Sequence, residues 1–159
     1  AQAGQKTTIV CEDAFAYATF ARVALGTHDI DFRSRPHSAE EADFLASHVA
    51  GRPVDVTFSD LERASRVVLV GLEPEDEAGV VFLRLRKASR AGVRVTAVAS
   101  HLTRGLRKMS ADLVPAVPGR EAAAVAGLAD ERDAGSIVLV GERLATVEGG
   151  YSAVAARSI

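Results

Sequence analysis

The sequence predicts an α/β fold in three layers, α/β/α, around a mainly parallel sheet. Val67–Val70 is an unbroken apolar run that ends at Gly71, as expected of a strand covered on both faces. A helical pattern and a second apolar stretch, Val93–Ala99, follow it, and together they have the length of a βαβ unit. A further apolar run lies at Ile137–Val140. Strands that alternate with helices in this way indicate a Rossmann-like sheet between two helical layers.

Length and composition limit the kind of protein. With 159 residues, 48% of them hydrophobic, the chain can form one domain with a substantial core. A net charge of −2 does not favour binding to nucleic acid or to an anionic membrane. The single cysteine, Cys11, excludes an internal disulfide and an iron–sulfur cluster held by about four thiolates. No stretch reaches the roughly 18 apolar residues that a membrane-spanning helix needs, which predicts a soluble, cytosolic chain.

The N-terminal region is predicted to contribute a lead-in and one helix. Residues 1–10 are expected to be flexible and to precede a single α/β domain over residues 11–159. Within that domain, a helix is predicted at about Glu12–Leu25. Its apolar inner face is formed by residues at three- and four-residue steps: Ala14, Tyr17, Ala18, Ala21 and Leu25. Gly26 is expected to end the helix, and residues 27–36 are expected to form a loop.

Two capping-box patterns precede the first strand. In such a pattern a serine or threonine and a glutamate three residues later satisfy each other's free backbone N–H groups at a helix start. Ser38 with Glu41 predicts a helix that extends to about Val49. Ser59 with Glu62 predicts a short helical turn.

The elements after the first strand follow the same periodicities. In Gly79–Ala91 the spacing of Val81, Leu85 and Ala88 predicts a helix with an apolar inner face. The remaining expectations are a short strand at Leu113–Val117, a helix at Arg120–Leu128 and the start of a helix at Tyr151–Ile159. Because this last pattern stops early, the chain is expected to be a piece excised from a longer subunit.

Two segments of the sequence resemble each other. Val67–Gly71 reads VVLVG and Ile137–Gly141 reads IVLVG. An internal repeat and a chance likeness between two buried strands both account for this.

Ligands of an open parallel sheet bind beyond the carboxyl ends of its strands. The loop after the first strand is the natural phosphate site, because it leads into a helix N-terminus with free N–H groups. It also carries four carboxylates, at Glu73, Glu75, Asp76 and Glu77, which would repel a pyrophosphate unless they point away or serve only the helix dipole. No glycine-rich nucleotide motif is present. The four histidines lack the spacing of a metal site.

Several segments resemble the molybdopterin oxidoreductases. Gly26–Arg35 is similar to their LGTNNID-x-x-x-R stretch, and Asp60–Val98 is similar to their block of DIE-x-A, strand, G-x-x-P, arginine-rich helix and second strand. Within that family, Glu12–Tyr17, Arg35–Asp43 and Gly141–Ala145 resemble the G subunit of the bacterial NADH-quinone oxidoreductases, the respiratory complex I. The resemblance covers about Val10–Ala145 and implies a fold like the domains of formate dehydrogenase and DMSO reductase.

The resemblance also implies where a cofactor would bind. In cofactor-bearing members three loops embrace a molybdopterin guanine dinucleotide. The matching residues are Gly71, Glu73, Pro74, Ser100, Thr103, Pro118, Gly119 and Glu121. Glu73 replaces an asparagine of the family pattern, and Ser100 and Glu121 each replace an aspartate. These departures remove contacts or add charge near phosphate, so that the resemblance implies a vestigial site.

The function implied by the resemblance is that of a scaffold. The segment would belong to the peripheral arm of the complex, on the cytoplasmic side, with the other domains of its subunit and neighbouring peripheral-arm subunits as partners. It would bind no nucleic acid, metal or pterin, would not enter the membrane and would carry no catalytic residue; the iron–sulfur clusters would lie elsewhere in the parent polypeptide. The alternative is a module that retains molybdopterin guanine dinucleotide or guanine nucleotide binding.

Overall fold

The computed structural model describes residues 2–30, 38–53, 56–128 and 135–156, with side chains from Asp13 onward. The chain divides into two compact units, Ala1–Pro36 and His37–Ile159. Each unit is described by itself below. The single domain over residues 11–159 stays a prediction.

The first unit contains one long helix, α1, over Gln2–Val23. It begins ten residues before the predicted start, because its first part lacks the apolar periodicity on which the prediction relied. Residues 2–10 of the expected lead-in lie within this helix. Gly26 ends the helical region as predicted, with a left-handed φ of 67°. The predicted inner face is wrong at two positions, since Tyr17 is 67% exposed and Leu25 is 64% exposed.

The second unit is built on a four-stranded sheet. Its strands are β1 (Arg66–Val70), β2 (Arg94–Ala99), β3 (Asp112–Pro115) and β4 (Ser136–Val140). Their order is β3-β2-β1-β4, and every pairing is parallel. This confirms the predicted α/β class with a parallel sheet. The two similar segments prove to be neighbouring strands in register, with Val67 opposite Ile137 and Val70 opposite Val140.

Helices surround this sheet. They are α2 (Ala39–His48), α3 (Phe58–Arg63), α4 (Pro74–Glu77), α5 (Gly79–Arg90), α6 (Arg104–Lys108), α7 (Glu121–Gly127), a 3-10 helix (Glu142–Thr146) and α8 (Gly150–Ala155). The sequence predicted α2, α3, α5, α7 and α8 but not α4, α6 or the 3-10 helix. Elements of four or five residues are too short to show a helical period, which is why the pattern missed them. Among the described helices, none combines the length and the apolar character needed to cross a membrane.

Two hydrophobic cores lie on opposite faces of the sheet. Val67 and Leu69 of β1 face the first core, which α3, α5 and α6 cover with Leu61, Phe82, Leu85 and Leu106. Val68 and Val70 face the second core, where α7, α8 and the 3-10 helix supply Val125, Val154, Tyr151 and Leu144. Because successive strand residues point to opposite faces, a continuous apolar strand fills both cores. Helices on both sides of the sheet make the three layers that the sequence predicted.

Helix α2 is attached to α8 by two neighbouring carboxylates. Ser38 caps α2 as predicted, since its hydroxyl accepts from Glu41 N at 3.1 Å. Glu41 itself is buried and accepts from the Tyr151 hydroxyl at 3.4 Å. The Glu40 carboxylate accepts from Ser152 N at 2.7 Å and from Gly149 N at 3.0 Å, at the start of α8. Partial burial raises the pKa of Glu40, but the bonds from Ser152 and Gly149 outweigh it and hold that pKa below its usual value.

The start of α3 corrects one capping prediction. The capping residues are Thr57 and Asp60, two positions before the predicted pair of Ser59 and Glu62. The Asp60 carboxylate accepts from Thr57 N at 2.8 Å and from the Thr57 hydroxyl at 2.5 Å. Glu62 instead forms ion pairs with α5, at 2.6 Å to Arg84 and 2.6 Å to Lys87. A carboxylate that reaches another helix is not available to cap its own.

The Asp60 cap predicts a measurable titration. The hydrogen bonds from Thr57 and Arg63 lower the pKa of Asp60 from 3.8 to about 2. Because the folded pKa is depressed, the stabilisation is fully present above pH 3.8 and is lost as the pH falls through about 2. Carbon-13 NMR of the Asp60 carboxyl should give a midpoint near 2. Thr57→Val should move it upward, because it removes the hydroxyl donor but keeps the backbone N–H. An equal midpoint in both proteins would refute this assignment.

Candidate functional site

The carboxyl ends of all four strands surround one cavity. Its volume is about 220 Å³. Six of the predicted site residues line it, and they come from the loops after β1, β2 and β3: Gly71, Glu73, Ser100, Thr103, Pro118 and Glu121. The structure therefore brings together residues up to 50 positions apart in the sequence, as the parallel topology predicts.

Two predicted residues do not line the cavity. Pro74 is buried as the first residue of α4. Gly119 is exposed, with a φ of 84° and open space where a Cβ would be. Pro74 and Gly119 are thus not part of the cavity wall.

Glu73 is the most buried carboxylate at this cavity, with 6% exposure. It accepts a short hydrogen bond from the Thr103 hydroxyl. The same hydroxyl accepts from Leu106 N at 3.1 Å and so caps α6. Thr103, which the resemblance assigned to a ligand, thus joins α6 to the loop after β1.

The loop that leads from β1 into α4 uses its backbone donors internally. Glu73 N donates to the Glu77 carboxylate at 3.1 Å, and Glu75 N donates to the Glu73 carboxylate at 3.4 Å. Asp76 N and Glu77 N both donate to the Glu73 carbonyl, at 3.1 and 3.0 Å. Pro74 has no N–H. Every N–H group from Glu73 to Glu77 is therefore already bonded within the loop.

The acidic residues of α4 are balanced by basic residues of neighbouring elements. Glu75 pairs with Lys108 and, at 3.4 Å, with Arg104, both from α6. The Lys108 hydrogen bond is the main reason why the pKa of Glu75 is lowered. Glu77 pairs at 2.9 Å with Arg143 of the 3-10 helix. Arg104, Lys108 and Arg143 thus all pair with acidic residues of their own chain.

Two close approaches of the backbone shape the cavity, and both require glycine. Gly141 N donates to Val70 O at 2.9 Å, and a Cβ on Gly141 would lie 2.1 Å from the Gly71 carbonyl oxygen. A Cβ on Gly105 of α6 would lie 2.4 Å from the nearer Glu73 carboxylate oxygen and 2.8 Å from the Glu75 Cβ. These glycines let β4 and α6 come close to the loop after β1.

The remaining polar groups of the cavity are Ser100, His101 and Glu121. The Ser100 hydroxyl lies 3.0 Å from the His101 Nδ1. One carboxylate oxygen of Glu121 is buried and has no hydrogen-bond partner among the described residues. The rest of the wall is formed by Leu72, Val98, Ala99, Leu106, Arg143, Leu144 and Val147. Sequence reasoning did not single out Leu144 or Val147, because they belong to a 3-10 helix and its end, which have no periodic signal.

Among the described residues, the histidines outside this cavity do not belong to a cluster that could hold a metal ion. In residues 38–53, His48 stacks on Phe44 at 4.9 Å and its Nδ1 lies 2.7 Å from the Ser47 hydroxyl. His37 and the side chain of Cys11 lie outside the described parts of the chain. Within those parts, no group of three or more His, Cys, Asp or Glu side chains could hold a metal ion.

Three known proteins that share one name are similar in sequence to this chain. No protein-family model matches the chain. It is 56% identical over 154 residues to the proteins named as the G subunit of NADH-quinone oxidoreductase in Mycobacterium bovis and Mycobacterium tuberculosis, an alignment that covers 92% of the chain. It is 49% identical over 173 residues to the protein of the same name from Streptomyces coelicolor. The chain spans 19 to 20% of the length of these relatives.

Proposed function

We propose that this chain, which is homologous to about a fifth of the G subunit of NADH-quinone oxidoreductase, is a structural segment of that subunit and binds no pterin cofactor. In this role it packs against the other domains of the subunit and against neighbouring subunits of the peripheral arm, on the cytoplasmic side of the membrane. Electron transfer from NADH to quinone, the activity in the relatives' name, takes place in other parts of the complex.

The observation that carries this proposal is the internal bonding of the loop after β1. A phosphate at this position of a parallel sheet would be bound by free N–H groups of the loop and of the following helix. Here the N–H groups of residues 73 and 75–77 donate to oxygens of Glu73 and Glu77. A pyrophosphate would have to break these bonds and displace the buried Glu73 carboxylate. The loop therefore supports a vestigial site.

The charge and the volume of the cavity also support a vestigial site. Glu73 and Glu121 both line the cavity, and a carboxylate beside a phosphate is repelled strongly in a partly buried site. Arg143 also lines the cavity, but its charge is paired with Glu77. The volume of about 220 Å³ lies below the roughly 300–1,000 Å³ of ordinary small-molecule sites. These residues do not fit a molybdopterin guanine dinucleotide.

Nucleotide titration tests the binding part of the proposal. Calorimetry of the chain with guanosine diphosphate should show no saturable binding up to about 1 mM. A matched variant, Glu73→Asn with Ser100→Asp and Glu121→Asp, carries the residues of the cofactor-bearing family at these positions. It shows whether these three positions account for the absence of nucleotide binding. Saturable binding to the unmodified chain at micromolar concentration, or molybdenum in the purified complex, would contradict the proposal.

The scaffold role has a separate test in the full-length subunit. Leu85→Ala, which disrupts the core of this segment, should lower the amount of assembled complex on native gels, since a destabilised segment is removed or fails to dock. NADH-quinone oxidoreductase activity per assembled complex should stay unchanged. Leu83→Ala, on the exposed side of the same helix, should leave the amount of complex unchanged. If activity per complex falls with Leu85→Ala while assembly is normal, the segment acts in the reaction and the proposal is wrong.

A further inference from the structure

The two edges of the sheet differ in sequence. The edge formed by β3 is short, and its four residues begin with Asp112 and end with Pro115. A charged residue and a proline are typical protections of an exposed edge, because they oppose the pairing of another strand. The sequence of β3 therefore suits a true edge.

The edge formed by β4 lacks these protections. Ile137–Val140 is apolar throughout and contains neither a charge nor a proline. One side of β4 pairs with β1, while along its other side no strand of the described chain pairs. Such an all-apolar sequence is typical of a strand inside a parallel sheet rather than at its border.

The exposure of β4 also differs from that of β1, although the two strands have almost the same sequence. Val67, Val68, Leu69 and Val70 of β1 are at most 4% exposed. The residues opposite them in β4, with almost the same sequence, are all only partly buried. Ile137 and Leu139 pack at the border of one core, and Val138 and Val140 pack at the border of the other. Within the described part of the second unit, both cores are therefore only partly covered along β4.

We infer that β4 is an interior strand of the full-length protein and that a further β-strand of the same polypeptide pairs, in parallel, with Ile137–Val140 on the side opposite β1. The main chain of an edge strand offers alternating N–H and C=O groups, with which a further strand can pair along its whole length. Because β4 has apolar residues on both faces, the added strand and the elements that cover it should extend both cores. Parallel pairing matches the other strands of the sheet.

The length of the relatives indicates where the strand comes from. The chain spans 19% of the two mycobacterial proteins, which leaves ample polypeptide to supply a strand and its crossover. A strand of the same polypeptide needs only loop closure, whose cost grows slowly with loop length. A separate partner would also lose translational and rotational freedom. This inference rests on the proposed function, in which the chain is one segment of a longer subunit.

Hydrogen–deuterium exchange in the full-length subunit, within the purified complex, tests the inference. Alternate amides of β4 point away from β1, and they should exchange within about tenfold of the amides that point toward it, because both sets are then paired. Amides of β1 provide the internal reference for a folded segment. If the outward set exchanges roughly a hundredfold faster or more, the edge is free and the inference is overturned.

Photo-crosslinking identifies the occupant. In the full-length subunit, a diazirine analogue of leucine replaces the leucine that is Leu139 in this chain, with little change in shape. Cross-links to a segment of the same polypeptide outside these 159 residues are expected. Cross-links confined to these residues, or to a second copy or another subunit, overturn the inference. Either failure is distinct from failure of the proposed function, which would appear as nucleotide binding or as a loss of activity per assembled complex.

Discussion

Replacement of Leu85 by alanine is expected to lower the free energy of unfolding by about 2–5 kcal/mol, the range for truncating a large side chain in a closed core. Leu85 is 0% exposed and lies between α5 and the sheet, in the core that also holds Leu69 and Leu106. Because these neighbours are held by a strand and a helix, they cannot collapse fully into the space left behind. The change should appear as a lower midpoint in urea with an unchanged slope.

Leu83 provides the matched control for this prediction. It lies on the same helix, is the same residue type and is 53% exposed. Leu83→Ala should change the free energy of unfolding by no more than about 0.5 kcal/mol. Equal losses for the two substitutions would mean that α5 packs on the sheet through a different face.

Replacement of Gly141 by alanine is expected to lower the free energy of unfolding by about 1–3 kcal/mol or more, because a methyl group must enter a space that the backbone occupies. The new Cβ would lie 2.1 Å from the Gly71 carbonyl oxygen and 2.8 Å from the Leu72 Cα. Backbone strain does not contribute, since the φ of Gly141 is −94°. Urea denaturation of the purified variant measures the loss.

A second glycine separates this steric effect from the general effect of removing a glycine. Gly127 is the last residue of α7, and a Cβ there would meet no atom within 4 Å. Gly127→Ala should leave stability unchanged or raise it by less than about 1 kcal/mol, because alanine favours the helix. If Gly141→Ala is as harmless as Gly127→Ala, β4 does not approach the loop after β1 as closely as described.

Part of the candidate site followed from sequence because of a general property of parallel sheets. The carboxyl ends of parallel strands lie at one edge, so that residues after each apolar run, such as Gly71, Ser100 and Glu121, had to meet there. Leu144 and Val147, from the 3-10 helix and its end, completed the cavity without being singled out for it. Their position depends on how close β4 approaches β1, and no local pattern reports that distance.

The polar contacts were less predictable than the apolar ones. A capping pattern placed Ser38 correctly but failed at Ser59, where Thr57 and Asp60 form the cap. The failure arose because Glu62 has partners on α5, 22 and 25 positions away. A side chain that can bond either locally or across the fold chooses by geometry, which a motif does not contain.

The sequence by itself determined the class of fold, the parallel strands and the sheet edge where the candidate site lies, because apolar periodicity reflects which residues must leave water. Only the tertiary structure decided that the donors of the loop after β1 are used internally and that Arg66, 4% exposed, donates to Thr96 at 3.0 Å. It also decided that one of two nearly identical strands is fully buried and the other half-buried. Burial of an apolar residue is encoded locally by its type and spacing, whereas a hydrogen bond or a sheet edge depends on which distant segment lies beside it.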